Sequence, residues 1–163
     1  HSYSSAASDV YKRQSLEPFR IIVTGRIKHF LSAFGEHVIS EEVEKAMEAA
    51  TKLHNVAIRE FTVAPNINPK EMLPHHEWYV EFESLPKDML AFSKALDKEM
   101  TRLNIYYKDL IDGKILKSLE VISVIRGGFN QYMKSEGRLG GQNKVPRLSN
   151  DRKIADKLKT IST

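Results

Sequence analysis

Residues Gly140-Gly141-Gln142-Asn143-Lys144-Val145-Pro146-Arg147 join a permissive backbone to two cations. Paired glycines allow φ > 0 and a close approach of the chain to a ligand. Pro146 fixes the exit and biases Val145 towards an extended conformation. The loop is thereby suited to hold Lys144 and Arg147 out on a fixed mount, as a phosphate or carboxylate site requires. The plainer alternative is a surface loop with solvated cations. A second candidate is Thr24-Gly25-Arg26-Ile27-Lys28, followed by Ala33-Phe34-Gly35-Glu36. It puts cations and another glycine beside an expected hairpin; the alternative is an ordinary β-turn.

Other chemistry is poorly supported. His75 and His76 are adjacent, so on extended chain they point opposite ways and rarely share a metal. No metal site is expected. Glu77, Glu81 and Glu83 form an acidic stripe at period two, read as the solvated face of a strand rather than as catalytic carboxylates. No nucleophile elbow, dinucleotide fingerprint or Walker loop is present. Tyr106 and Tyr107 read as packing residues.

The composition narrows the class. With 163 residues, 41% of them hydrophobic, the chain suits one domain with a sizeable core. No apolar run approaches the ~20 residues of a membrane span, so no membrane partner is expected. The absence of cysteine excludes a disulfide scaffold, a thiolate metal site and a cysteine nucleophile, and it fits a cytoplasmic location. The formal net charge is +4. From Lys134 onwards eight Lys and Arg face three Asp and Glu, so the excess positive charge lies with the glycine loop. Aromatic residues do not interleave with these cations, which makes nucleic acid the weaker partner.

The elements that must position the loop are legible in outline. Residues 1–14 are small and polar at first, without helical or strand periodicity, and resemble non-native adapter sequence. They are set apart as a tail from a domain over residues 15–163. Phe19–Val23 reads as a strand, Gly25 as a turn, and Ile27–Ala33 as a returning strand. Ser40 is the expected N-cap of a helix whose core stripe is Val43, Ala46, Met47 and Ala50. Val56–Val63 reads as a strand ended by Pro65, and Asn66–Pro74 as a loop. Trp78, Val80 and Phe82 alternate with polar residues, as in a strand with one wet face. Met89, Phe92, Leu96, Met100 and Leu103 mark a second helix. Leu119–Ile125, apolar on both faces, reads as a central strand. A short helix over Phe129–Lys134 and a last one, capped by Asn150 or Asp151 and running through Leu158, complete the pass. The order implies an α+β fold, with helices flanking a small, mainly antiparallel sheet.

Three segments together resemble one family. They are Val23–Ile27 with Ala33–Glu36, Gly128-Phe129 with the helix behind it, and Gly141–Asp151. Their order and spacing are similar to the C-terminal domain of the auxin-responsive (Gretchen Hagen type) acyl acid–amido synthetases, in the bacterial branch of that family. The likeness runs from about Phe19 to Leu158.

The resemblance implies a lid domain of an adenylate-forming ligase. Such enzymes join an acyl acid to AMP from ATP with Mg2+, release pyrophosphate, and pass the acyl group to an amino acid amine. An N-terminal ATP-binding domain, absent from this chain, would hold most of the nucleotide, and the chain alone would be inactive. By the same resemblance Lys144 is the catalytic lysine of a Gln-x-Lys-x-Pro-Arg motif. Arg147 would brace the loop or meet phosphate, Arg26, Gly141 and Gln142 would meet nucleotide or phosphate, and Gly25 and Lys28 would form the hinge. Asn143 departs from the aromatic residue common there, and related enzymes often carry Asp where Lys28 stands. The competing expectation is a free-standing α+β module whose basic C-terminus grips a phosphorylated ligand or nucleic acid.

Overall fold

A computed structural model describes residues 9–16, 19–26, 30–138, 140 and 144–162. Its centre is a three-stranded sheet of β3 (Ile58–Asn66), β4 (His75–Phe82) and β5 (Glu120–Val124), in the order β3-β4-β5. β3 and β4 pair antiparallel across the expected loop, with Val63 opposite Trp78. β4 and β5 run parallel, with Trp78 opposite Val121. A parallel pair needs a long crossover. Here α2 (Met89–Leu103) and α3 (Ile105–Asp112) supply it. The fold is α+β as expected, with a mixed central sheet.

β4 is buried along its whole length, not on one face. Trp78, Val80 and Phe82 join Phe61 and Val63 in a core with Val43, Ala46, Met47 and Ala50 of α1 (Ser40–His54) and Phe92, Leu96 and Met100 of α2. Trp78 stacks on Phe61 at 5.7 Å between ring centroids. The opposite face, expected to be wet, carries Tyr79 and Ala64 in a second core with Phe129, Tyr132 and Met133 of α4 (Gly128–Ser135) and Ala155 and Leu158 of α5 (Lys153–Ser162). Helices that come late in the sequence therefore cover a face whose own alternation reads as exposed. Glu77 and Glu81 are buried with it.

Several boundaries shift for local reasons. Ser40 is the first helical residue of α1, and Ile39 takes the cap position, its N–H donating to Glu42 Oε2 at 3.1 Å. Asp88 and Asn104 cap α2 and α3 through side-chain oxygens. Asp151 Oδ1 accepts the Lys153 N–H at 2.9 Å at the start of α5. β5 is an edge strand, not a central one. β1 (Asp9–Leu16) and β2 (Phe19–Arg26) form a separate antiparallel hairpin. Gly25, expected at a turn, lies inside β2 opposite Val10. The described part of the expected second strand, residues 30–33, makes only an isolated bridge between Leu31 and Val38.

Gly128 opens α4 where it packs against the end of β5. A Cβ there would stand 2.5 Å from Val124 Cγ1. Because a valine side chain cannot swing clear, Gly128→Ala is expected to destabilise the domain by about 1–3 kcal/mol. Urea unfolding followed by far-UV circular dichroism checks this; an unchanged midpoint would contradict it.

Candidate functional site

The glycine loop ends on the free edge of β3. Val63 N–H donates to Arg147 O at 2.8 Å, and Ser149 N–H donates to Val63 O at 3.0 Å. Leu148 forms a parallel bridge with Val63 and is fully buried. Thr62 Oγ1 donates to Pro146 O at 2.7 Å, and Val145 is buried. The segment after Lys144 is thus held by backbone bonds and two core side chains. Pro146 can lie on this edge because it is asked for no ladder donor.

Arg147 is the brace of this segment. Its Nε donates to Glu44 Oε1 at 3.1 Å, and its Nη1 donates to Glu60 Oε1 and, at 3.2 Å, to Phe61 O. The guanidinium carbon lies 4.5 Å from the centroid of the Phe61 ring, a cation–π contact. Two carboxylates and an aromatic face engage the fork that the sequence reading offered to phosphate.

Lys144 differs. It is exposed and makes no ion pair with any described residue. It lies at the meeting of two clefts that share Lys144, Val145 and Glu60. One, of about 560 Å³, is walled by Arg59, Glu81, Glu83, Phe129 and Met133. The other, of about 490 Å³, is walled by Ser40, Glu44, Arg138 and Arg147. Glu81 reaches the first cleft from β4 and accepts the N–H of Gly127 just before α4. The acidic stripe is therefore partly a cleft wall, which its period-two spacing alone did not reveal.

Two buried networks fix the layers around this segment. Glu77 accepts from Tyr79 Oη at 2.6 Å, Asn66 Nδ2 at 2.7 Å and Arg152 Nη2 at 3.1 Å. Burial works against the Glu77 charge, but the Tyr79 bond and the Arg152 charge outweigh it and hold the carboxyl below its usual range. The second network joins Glu36 to His76, with Oε1 and Nε2 2.9 Å apart and both side chains buried. Asn104 Nδ2 donates to Glu36 O at 2.9 Å and to Glu42 Oε2 at 3.1 Å. Asn150 then ties the C-terminal segment back, donating to Phe30 O at 2.6 Å and accepting from Ser32 N–H at 2.8 Å. These bonds tie the chain just after the glycine loop to the stretch between Lys28 and Ala33.

Of the other expected site residues, Gly25 and Arg26 belong to β2, where Arg26 pairs in register with Asp9. Lys28, Gly141 and Gln142 lie outside the described residues. Glu44 and Glu60 had no role in the sequence reading, and Glu36 stood there only as the last residue of Ala33-Phe34-Gly35-Glu36. Glu36 carried the only usable signal, as an acidic residue after the Phe34-Gly35 turn; Glu44 and Glu60 are met only through Arg147. Among the described residues no group of three or more His, Asp or Glu could hold a metal ion, and no helix is long and apolar enough to cross a membrane.

These features define a three-layer α+β domain that presents Lys144, without an ion pair among the described residues, from a segment anchored on the β3 edge. The GH3 family C-terminal domain matches residues 41–153, and the chain belongs to the GH3 family. Lys144 and Arg147 lie within that match; Gly25, Arg26 and Lys28 precede it. Among solved structures, a GH3.15 acyl acid amido synthetase superposes with a TM-score of 0.71 at 19% identity, over 96% of this chain and 31% of that one. The AtGH3.15 acyl acid amido synthetase in complex with 2,4-DB gives a TM-score of 0.67 at 20% identity, over 96% and 30%. At such identities the likeness shows the fold. The chain spans less than a third of the length of these structures. No curated protein matches in sequence.

Proposed function

We propose that this domain is the lid of an ATP-dependent acyl acid–amido synthetase of the bacterial branch, acting in the cytoplasm with an N-terminal ATP-binding domain of the same polypeptide. The observation that carries this reading is Lys144, an exposed cation without an ion pair among the described residues, mounted on an anchored segment of a GH3 C-terminal domain. ATP with Mg2+ supplies the AMP group that activates the acid. An exposed ammonium fits that polyphosphate chemistry.

During adenylation a carboxylate oxygen bonds to the α-phosphorus while the bond to pyrophosphate breaks. Lys144 offsets the negative charge that builds on the phosphoryl oxygens, at a site the closing lid shields from water. In the second step the amino acid nitrogen bonds to the acyl carbon, AMP leaves, and the amine gives up a proton. Arg147 acts by position: its bonds to Glu44, Glu60 and Phe61 set the register from which Lys144 projects. Gly25 and Lys28 are the hinge in this reading, with Arg26, Gly141 and Gln142 near the nucleotide.

The chain alone is expected to catalyse no ATP–pyrophosphate exchange, with any of a panel of acyl acids. A longer polypeptide that joins this domain to an N-terminal ATP-binding domain is expected to catalyse it. Exchange by the isolated chain in a clean preparation, or a start codon close to Leu16, would overturn the lid reading and favour the free-standing module.

A further inference from the structure

We propose that Arg138 is a second phosphate-gripping residue, holding the pyrophosphate group across the same cleft as Lys144; this rests on the lid reading above. Gly137, at φ +66°, closes the end of α4, and its N–H donates to Lys134 O at 3.0 Å. The Arg138 N–H then donates to Met133 O at 2.9 Å. These bonds fix the backbone from which the exposed Arg138 side chain enters the wall of the 490 Å³ cleft, with Lys144 and Arg147.

The charges of that cleft are unevenly committed. Its carboxylates, Glu44 and Glu60, are both engaged by Arg147. Glu136, the carboxylate nearest Arg138 in sequence, is taken by Lys157. Arg138 and Lys144 make no ion pair with any described residue, and the cleft lining holds three cations against two carboxylates, both of which face Arg147. Without a ligand Arg138 and Lys144 repel each other. A group carrying several negative charges relieves that repulsion and is gripped by both. The two cations are chemically distinct: a point-like ammonium and a planar fork suited to bidentate phosphate binding. Lys144 serves the reacting α-phosphate. Arg138 serves the leaving group, whose charge rises as the P–O bond breaks and the electron pair stays on pyrophosphate.

The test is a titration of inorganic pyrophosphate into the chain at low ionic strength, followed by backbone amide shifts. Native protein is compared with Arg138→Gln, Lys144→Gln and a control, Lys94→Gln, on the exposed face of α2. The expected result is shifts at residues 138 and 144–145, with Kd raised roughly tenfold or more in Arg138→Gln and in Lys144→Gln. The control should leave Kd nearly unchanged, and Arg138→Lys should recover part of the loss. Equal melting temperatures exclude a folding effect. If Arg138→Gln binds as tightly as native while Lys144→Gln does not, the Arg138 role is overturned and the lid reading stands. Equal weakening in all three variants means diffuse charge and also overturns it, as does the absence of binding to the native chain. The lid reading itself is judged separately, by exchange in the longer polypeptide.

Discussion

Replacing Lys144 by alanine in the complete synthetase is expected to slow adenylation by ~10²–10³-fold, the cost of removing a donor aimed at developing charge. The same change should leave the stability of the domain within about 0.5 kcal/mol of native. The two expectations follow from one observation. Lys144 is exposed and makes no ion pair with a described residue, whereas Val145 and Leu148 beside it are buried. No ion pair among the described residues is therefore lost with the ammonium. Pyrophosphate exchange measures the first effect and urea unfolding the second. Unchanged exchange would remove Lys144 from the mechanism. A large loss of stability would mean that it is structural. Arg147→Ala should differ by lowering stability as well as rate, because it frees Glu60 and Glu44, strips the brace from Phe61 and loosens the segment from which Lys144 projects.

The largest effect on stability is expected from His76→Ala, at about 3–5 kcal/mol at neutral pH, because it leaves a carboxylate buried without its partner. Glu36 has no solvent exposure, and its remaining side-chain partner is the Phe34 N–H, at 2.7 Å from Oε2. Burial acts to raise the Glu36 pKa, yet the bond and charge of His76, with help from backbone N–H groups, bring it below the ordinary value. A carboxyl lowered on folding contributes stability above its unfolded pKa, near 4.5, and loses that contribution as pH falls through the folded value. Glu77 is lowered too and adds to the same acid-side loss. Glu42 opposes them, since burial raises it.

In His76→Ala the bond and charge of His76 are gone, and the backbone N–H groups alone are left to offset burial of the Glu36 carboxylate. Its charge then opposes folding, and protonation relieves the strain. The deficit of the variant relative to native should therefore shrink as pH falls from 7 to about 4. Adding Glu36→Gln should remove most of that pH dependence. Urea midpoints across this range decide the matter: a deficit constant with pH would show that lost packing against Tyr107, 5.2 Å away between ring centroids, is the whole effect.

The family resemblance and four of the five helices were legible because their signals are local; α3, which carries Tyr106 and Tyr107, was not read. The stripe Val43, Ala46, Met47 and Ala50 is the buried face of α1, and Phe92, Leu96 and Met100 are that of α2. Each needs only the 3.6-residue period to be read. The loop at Lys144 declared itself through glycine, proline and charge, whose constraints belong to the residues themselves. The α+β class followed from the order of such elements.

What depended on distant parts of the chain could not be read this way. Glu77, Tyr79 and Glu81 alternate as a wet face should, but α4 and α5 arrive more than forty residues later and cover it. Leu119–Ile125 looks central because it is apolar, yet nothing pairs with its outer edge among the described residues, and β4 takes the middle. Direction was equally hidden: the β4–β5 pair is parallel because α2 and α3 carry the chain back across the sheet. Arg147 was legible as a brace or a phosphate ligand, and tertiary contact with Glu44, Glu60 and Phe61 favours the brace, leaving Lys144 without an ion pair among the described residues. Local sequence determined which groups could carry charge and which helix faces must be buried. Packing between remote elements decided which of those charges were neutralised, because an ion pair depends on proximity in space and its partners lay 87 and 103 residues apart.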